Sequence, residues 1–185
     1  MVHIQIIIGS TRPGRLGKPI SDWFINKAQG STEASFEMVD LADLNLPLLD
    51  EPLPAGAKKY TKEHTKRWSD IASKADAYIF VTPEYNHGTS AALKNALDYL
   101  HHEWKYKPVS FLGYGGFGGT RAIEQLIGNC VELDMFPLRE SVHINEPWSA
   151  ISQSGEVDER FVKGSVEASI KSLVAVAEAT KSLRN

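Results

Sequence analysis

Apolar runs of strand length alternate with amphipathic segments of helix length along the whole chain. The runs at 2–9, 77–82 and 108–113 are almost continuously apolar, which is typical of strands buried on both faces of a parallel sheet. Weaker strand patterns stand at 36–40 and 138–144. A helix pattern follows each of the five strands. After the second strand, an irregular loop is predicted at 43–57 and a charged helix over about 58–75. This order predicts an α/β fold with a five-stranded parallel sheet and helices on both faces.

Size and charge narrow the functions that are open to the chain. With 185 residues, we expect a single domain over 1–185. The net charge of −3 predicts no general attraction to nucleic acid or to acidic membranes. A bound anion would therefore need a local group of basic side chains.

The chain also lacks the signals of export and of membrane insertion. No apolar run approaches the roughly 18 residues of a membrane span, and the N-terminus has no signal-peptide pattern, so we expect a cytoplasmic protein. Cys130 is the only cysteine, which excludes an internal disulfide. Its neighbours have helical apolar spacing, and this predicts a buried structural thiol.

The loop after the first strand offers a binding site for an anion. Residues 9–17 join this strand to a helix and contain two hydroxyls and two guanidinium groups, from Ser10, Thr11, Arg12 and Arg15. Backbone N–H groups and arginines at a helix start are typical phosphate ligands. Neither the ATPase-type loop nor Gly-x-Gly-x-x-Gly fits here, so the loop alone predicts no specific ligand. The alternative is a loop whose arginines face water.

The third strand ends in a turn that could face a planar ligand. Pro83 halts the strand, and Asn86 and Gly88 can adopt turn conformations that direct backbone N–H groups at a ligand. Tyr85 could lie against an aromatic face. An ordinary turn followed by a helix cap at Thr89 or Ser90 explains the same residues equally well.

Together these two strand ends resemble a known family. The segments 9–15, Gly-Ser-Thr-Arg-Pro-Gly-Arg, and 83–86, Pro-Glu-Tyr-Asn, followed by 93–98, Leu-Lys-Asn-Ala-Leu-Asp, are similar to the NADPH-dependent FMN reductases. This family contains flavodoxin-like quinone, azo-dye and chromate reductases. The segment 40–52 is also similar, and the resemblance covers most of 3–120. It implies a flavodoxin-like three-layer sandwich with strand order 2-1-3-4-5.

The resemblance also implies a set of residues that bind FMN. The match of 113–118 to Gly-x-Gly-x-x-Gly is then a glycine loop beside the flavin, because it follows the fourth strand rather than the first. His87 stands where the family commonly has glycine. The cofactor-binding residues that we predict are Ser10, Thr11, Arg12, Arg15, Leu16, Gly17, Pro83, Glu84, Tyr85, Asn86, His87, Ser90, Gly115 and Gly116.

The implied activity is an FMN-dependent NAD(P)H oxidoreductase with a ping-pong mechanism. NADPH or NADH would give a hydride to the flavin N5, and a quinone, azo compound, flavin or similar acceptor would then take two electrons, so we predict no catalytic side chain. The helix with Lys94, Asn95 and Asp98 implies a homodimer or homotetramer. The predicted substrate pocket contains Asn45, Leu46, Pro47, Tyr85, His87 and Phe117.

The sequence leaves two competing functions open and also carries predictions about metal binding and about the tryptophans. An electron carrier of the flavodoxin type and a flavin-free binding or signalling module are the competing functions. We predict no metal site, because the adjacent His101 and His102 make poor ligands for one ion. The four tryptophans read mostly as core or interface residues.

Overall fold

A mostly parallel β-sheet forms the middle layer of the protein in a computed structural model, which describes residues 1–30 and 33–184. The strands are β1 (Val2–Ile8), β2 (Ala34–Asp40), β3 (Ala77–Pro83), β4 (Pro108–Gly115), β5 (Phe136–Pro137), β6 (Val142–Asn145) and β7 (Val162–Lys163). Neighbouring strands in the sheet follow the order β2-β1-β3-β4-β6-β7, and β5 pairs with β4 outside this path.

The α/β class and the order of the five main parallel strands agree with the prediction, but the count of five strands is wrong. Across residues 1–30 and 33–184, the sheet has seven strands. β5 adds a two-residue parallel pairing at the start of β4, and β7 pairs antiparallel with β6. Two residues are too few to produce an alternating pattern in the sequence. The predicted strand at 138–144 also begins later, at Val142.

Helices cover both faces of the sheet and enclose two separate cores. One core contains Phe80 and Phe111 of the sheet, and the other contains Ile79 and Leu112 on the opposite face. The helices are α1 (Gly17–Ala28), α2 (Leu41–Leu44), α3 (Glu63–Ser73), α4 (Ala91–Asp98), α5 (Thr120–Glu132), α6 (Pro147–Ala150) and α7 (Val166–Ala179). Over residues 1–30 and 33–184, no helix combines the length and the apolar character that a membrane crossing needs.

The helix predicted over 58–75 is shorter than expected, because hydrogen bonds to a side chain hold the chain in another conformation before it. Lys58 has a left-handed backbone with φ of 51°. The Glu51 carboxylate accepts hydrogen bonds from the backbone N–H groups of Thr61 and Lys62, at 2.9 Å each. The helix therefore begins at Glu63, and the irregular segment predicted at 43–57 starts inside the short α2.

The buried thiol is confirmed. Cys130 lies on α5 with no exposed surface, and burial raises the pKa of its thiol to about 12. A thiol with so high a pKa is almost fully protonated at neutral pH and is a poor nucleophile.

Candidate functional site

Loops from β1 and β3 meet at the carboxyl edge of the sheet and are joined by hydrogen bonds. The hydroxyls of Ser10 and Tyr85 share a hydrogen bond of 2.7 Å, and Ser10 has no exposed surface. Ser90 caps α4 by accepting from the backbone N–H of Leu93, and its hydroxyl donates to the carbonyl oxygen of Gly9 at 2.6 Å. Ser90 is thus the helix cap, and the two loops form one continuous surface.

The first loop presents one free guanidinium group. Arg12 is exposed, and its guanidinium carbon lies 5.9 Å from the centroid of the Tyr85 ring. Within the described ranges, no carboxylate forms a salt bridge with Arg12. Gly14 has φ of 68°, and the N–H of Arg15 donates to the carbonyl oxygen of Arg12 at 3.1 Å. The turn thereby holds Arg12 at the surface, beside Thr11.

The second arginine of this loop is engaged by another strand. Arg15 forms an ion pair with Asp40 at the end of β2, and the same carboxylate accepts from the N–H of Ala42 at 3.0 Å. The Nε of Arg15 is buried and has no partner among the described residues. Arg15 therefore keeps one unpaired donor next to the loop, whereas the rest of its side chain holds β2.

Leu16 and Gly17 form the start of α1. No side chain caps this helix, and its first turn contains no acidic residue, so the unpaired N–H groups and the positive end of the helix dipole face the loop. A Cβ on Gly17 would stand 3.0 Å from the Tyr114 hydroxyl. Glycine is therefore needed for the close approach of α1 to β4.

The turn after β3 directs two backbone N–H groups outward. Tyr85 and Gly88 exchange backbone hydrogen bonds of 2.9 and 3.0 Å, and Asn86 and His87 between them have φ of 49° and 73°. Asn86 and His87 are thus the left-handed residues of this turn, and Gly88 closes it by pairing with Tyr85. Neither the Asn86 N–H nor the His87 N–H bonds a backbone oxygen within the described chain, and both residues are exposed.

Glu84 points away from this turn and into the protein. Its side chain is only 4% exposed and pairs with Arg121 of α5. The carboxylate accepts from the Arg121 Nε at 2.5 Å and from the Arg121 backbone N–H at 3.1 Å. Glu84 is one of the predicted cofactor-binding residues, and its carboxylate fixes the start of α5 beneath the loops. Pro83, which precedes it, is buried as the last residue of β3.

The glycine loop after β4 packs tightly against its surroundings. A Cβ on Gly113 would lie 2.6 Å from the carbonyl oxygen of Gly118, and Gly119 has φ of 72°. Gly115 has φ of 154°, and a Cβ there would lie 3.2 Å from the Cβ of Glu84. Close packing therefore explains much of the Gly-x-Gly-x-x-Gly match. The loop also exposes Gly116.

Tyr114 lies beside the candidate site within the predicted glycine loop at 113–118, but it is not among the predicted cofactor-binding residues. Its ring is 5% exposed, and its hydroxyl is buried with no hydrogen-bond partner among the described residues. Burial raises the pKa of this phenol, and the neighbouring Ser10 hydroxyl and the Arg12 and Arg15 charges oppose the rise. Its position in an apolar strand gave no signal, because a tyrosine there reads as core.

The residues of the predicted substrate pocket do not all come together. Asn45 and Leu46 line a cavity of about 320 Å³ with Thr11 and Asn95, and Tyr85, His87 and Phe117 do not line it. Asn95 donates to the carbonyl oxygen of Pro47 at 2.7 Å and accepts from the N–H of Leu49 at 2.9 Å. These bonds fix the 45–49 segment against α4. Tyr85, His87 and Phe117 belong to the other two loops.

A second cavity lies apart from this edge of the sheet, and the described residues provide no candidate metal site. This second cavity, of about 970 Å³, lies between α1 and residues 149–159 and is lined by none of the predicted site residues. In the part of the chain that the structure describes, no group of three or more histidine, cysteine or acidic side chains is placed to hold a metal ion.

Comparisons with known proteins identify the family to which this chain is similar. A sequence model of the family described as NADPH-dependent FMN reductase matches residues 2–149. An NAD(P)H-dependent FMN reductase of Nectria is 45% identical over 132 residues, which cover 68% of this chain and 66% of the relative. A Schizosaccharomyces pombe protein of the same description is 46% identical over 66% of this chain and 62% of its own length. The matched part is thus slightly under two thirds of each relative.

A less similar sequence and two solved structures also match this chain. A quinone reductase of Pseudomonas putida is 32% identical over 71% of both chains. The solved structure of FerB, a flavoenzyme NAD(P)H:(acceptor) oxidoreductase from Paracoccus denitrificans, superposes with a TM-score of 0.68 at 22% identity, covering 97% of this chain and 95% of that one. A flavodoxin, WrbA-like protein from Agrobacterium tumefaciens gives a TM-score of 0.51 at 15% identity, covering 98% and 99% of the two chains. These likenesses confirm the flavodoxin-like fold. Since the family match spans most of the sequence, this chain belongs to the NADPH-dependent FMN reductase family.

Proposed function

We propose that this chain binds FMN at the carboxyl edge of its sheet and uses it to pass electrons from NADPH or NADH to quinones, azo compounds, flavins or similar acceptors. The single observation that carries the proposal is the 2.7 Å hydrogen bond between Ser10 and Tyr85. This bond joins an arginine-bearing anion loop to a turn with outward N–H groups. A ligand that carries both a phosphate and a planar ring would match this site, with the phosphate at the loop and the ring at the turn.

The polar groups at this edge fit FMN. Thr11, Arg12 and the uncapped start of α1 would hold the phosphate, and the unpartnered Arg15 Nε would gain an acceptor there. The Asn86 and His87 N–H groups would donate to the polar atoms of the ring system. Gly115 and Gly116 would let the backbone come close to the ring, because they carry no side chain.

The protein residues in this scheme bind and orient rather than transfer protons. FMN supplies the two-electron hydride chemistry when it is bound. Tyr85 is held in place by Ser10, and Glu84 fixes the turn from below through Arg121. No side chain at this edge has to act as an acid or base. The electron donor and the electron acceptor can therefore bind one after the other at the same open face. We therefore propose a ping-pong mechanism.

The assembly is part of the same proposal. We propose that residues 1–185 form one FMN-binding domain, that two or four copies associate, and that the enzyme acts in the cytoplasm. Leu48 and Leu49 of the segment fixed against α4 are 82% and 47% exposed. Exposed leucines of this kind are typical of contact surfaces, and light scattering of the purified protein measures the number of copies.

The test of cofactor binding is a titration of the apoprotein with FMN, followed by quenching of the flavin fluorescence. We expect Arg12→Ala to weaken FMN binding by tenfold or more, because a charge-assisted phosphate contact is lost, and to leave the fold intact, because Arg12 is exposed. Arg160→Ala is the matched control, since Arg160 is exposed and pairs with Asp158 rather than with a residue of the two loops. Equal FMN binding by both variants would refute the placement of the phosphate.

Steady-state kinetics separates the mechanism from the competing functions. Parallel lines in double-reciprocal plots against NADPH and quinone are expected for ping-pong turnover, and intersecting lines would contradict it. A protein that binds FMN but does not oxidise NADPH would be an electron carrier. A protein that takes up no FMN would be a flavin-free module.

A further inference from the structure

Trp148 is exposed although tryptophan is the largest apolar side chain. It is 66% exposed on α6, whereas Trp68 and Trp104 have no exposed surface. Of the tryptophans that the sequence predicts to be mostly core or interface residues, Trp68 and Trp104 lie in the core, and Trp148 does not. Water-exposed tryptophan is unfavourable and is enriched where proteins bind ligands or partners.

Trp148 lies at the same edge as the proposed flavin site. The N–H of Glu146 donates to the carbonyl oxygen of Gly115 at 3.0 Å, which ties the start of α6 to the glycine loop. The Cη2 atom of Trp148 lies 3.7 Å from the point where a Cβ on Gly116 would stand. The indole therefore lies beside Gly116, which has no side chain to occupy the space next to the ring.

A second exposed aromatic ring flanks the same glycine. Phe117 is 67% exposed, and the guanidinium carbon of Arg121 lies 4.6 Å from the centroid of its ring. Arg121 is itself held by the buried carboxylate of Glu84. The contacts from Glu84 through Arg121 to Phe117 therefore hold this ring. Phe117 follows Gly116 in the chain and Trp148 approaches the same glycine in space, so both rings lie at Gly116.

The charges around this pair of rings select the chemistry of the ligand. The exposed Glu146 is two residues from Trp148 and disfavours an anionic group there, whereas the free guanidinium of Arg12 lies at the Tyr85 ring. Phosphates are therefore expected near Arg12, and an uncharged ring near Trp148. Flat aromatic rings stack favourably on indole faces.

We propose that Trp148 and Phe117 form an aromatic wall that stacks uncharged, fused-ring acceptors against the open face of the site. Trp148 is then a specificity-determining residue for the acceptor half of the reaction. This inference rests on the proposed function. It predicts that two-ring quinones depend on Trp148, and that small non-aromatic oxidants do not.

The test compares Trp148→Ala, Trp148→Phe and Phe136→Ala as FMN-loaded proteins. Phe136→Ala is the control, because Phe136 is an exposed aromatic residue on β5, which pairs with the opposite end of β4. Binding of a naphthoquinone to the oxidised holoenzyme, without donor, is measured by equilibrium dialysis. Turnover is measured with the naphthoquinone and with ferricyanide, and light scattering gives the number of copies.

We expect Trp148→Ala to weaken naphthoquinone binding by about 3- to 10-fold, the range of one aromatic pair, and to raise its KM similarly. Trp148→Phe should recover most of the binding, and the FMN Kd, ferricyanide turnover and the Phe136→Ala control should stay unchanged. Unchanged naphthoquinone binding in Trp148→Ala would overturn the aromatic wall alone. So would a loss that accompanies a smaller number of copies, since Trp148 would then be a subunit contact. A wild-type protein that binds no FMN would overturn the proposed function as well.

Discussion

The ion pair between Glu84 and Arg121 supports both the turn after β3 and the start of α5, so its removal should be costly. The Glu84 side chain is 4% exposed and that of Arg121 is 37% exposed. In Arg121→Ala the carboxylate keeps its burial and loses its charged partner. Breaking a buried pair in this way costs about 3 to 5 kcal/mol, and we take about 3 kcal/mol because Arg121 is partly in water.

Urea unfolding measures this cost directly. With a slope of about 2 kcal/mol per molar urea, a loss of about 3 kcal/mol lowers the unfolding midpoint by about 1.5 M. Arg160→Ala removes an arginine from a pair in which the arginine is 85% exposed, and it should not shift the midpoint measurably.

The double variant identifies the physical cause. If the penalty comes from the isolated buried carboxylate, Glu84→Gln combined with Arg121→Ala should be more stable than Arg121→Ala alone. A midpoint shift below about 0.3 M in Arg121→Ala would contradict the reasoning. So would a double variant that is less stable than the single one, because the pair would then not act through the uncompensated charge.

Three further variants test separate parts of the account. His87→Gly should raise the free energy of unfolding by about 0.5 to 1 kcal/mol, because glycine adopts the left-handed conformation without strain; an unchanged or lower urea midpoint would argue against strain at φ of 73°. Tyr85→Phe should weaken FMN binding several-fold, because it leaves the buried Ser10 hydroxyl without its partner, and an unchanged Kd would contradict this. Although desolvation raises the pKa of Glu51, hydrogen bonds from the Lys62 and Thr61 N–H groups lower it from 4.5 to about 2. The stability that this carboxylate supplies is therefore complete above pH 4.5 and is lost as the pH falls toward 2, so the urea midpoint of the wild type should fall more steeply over that range than that of Glu51→Gln.

The sequence predicted the sheet because burial on both faces leaves a local signature. The runs at 2–9, 77–82 and 108–113 are apolar on consecutive residues, and the five main parallel strands appear in the predicted order. β5 and β7 were not predictable in this way. Each has two residues, and their pairing depends on contacts with β4 and β6 that no local pattern records.

The site was predictable at the level of loops and less so at the level of side chains. The Arg12 guanidinium is free, as an anion loop requires, whereas Arg15 pairs with Asp40 from another strand. Glu84 turns inward to Arg121, 37 residues away along the chain. Such partners are set by tertiary packing, so a loop sequence shows which side chains are present and not where they point.

The position of Trp148 at the glycine loop was also not predictable from the sequence. A single tryptophan between Pro147 and Ser149 has no periodicity, so the sequence alone does not decide between a core position and an interface position. The pairing of Gly115 with Asn145 between β4 and β6, together with the bond from the Glu146 N–H to the Gly115 carbonyl oxygen, brings it to the glycine loop.

The most direct test of the central claim is the visible spectrum of the purified protein during anaerobic titration with NADPH. The account predicts a bound-flavin spectrum that one equivalent of NADPH per flavin bleaches, and that one equivalent of a quinone restores. A flavin that NADPH does not bleach, or a protein that takes up no FMN, would contradict it.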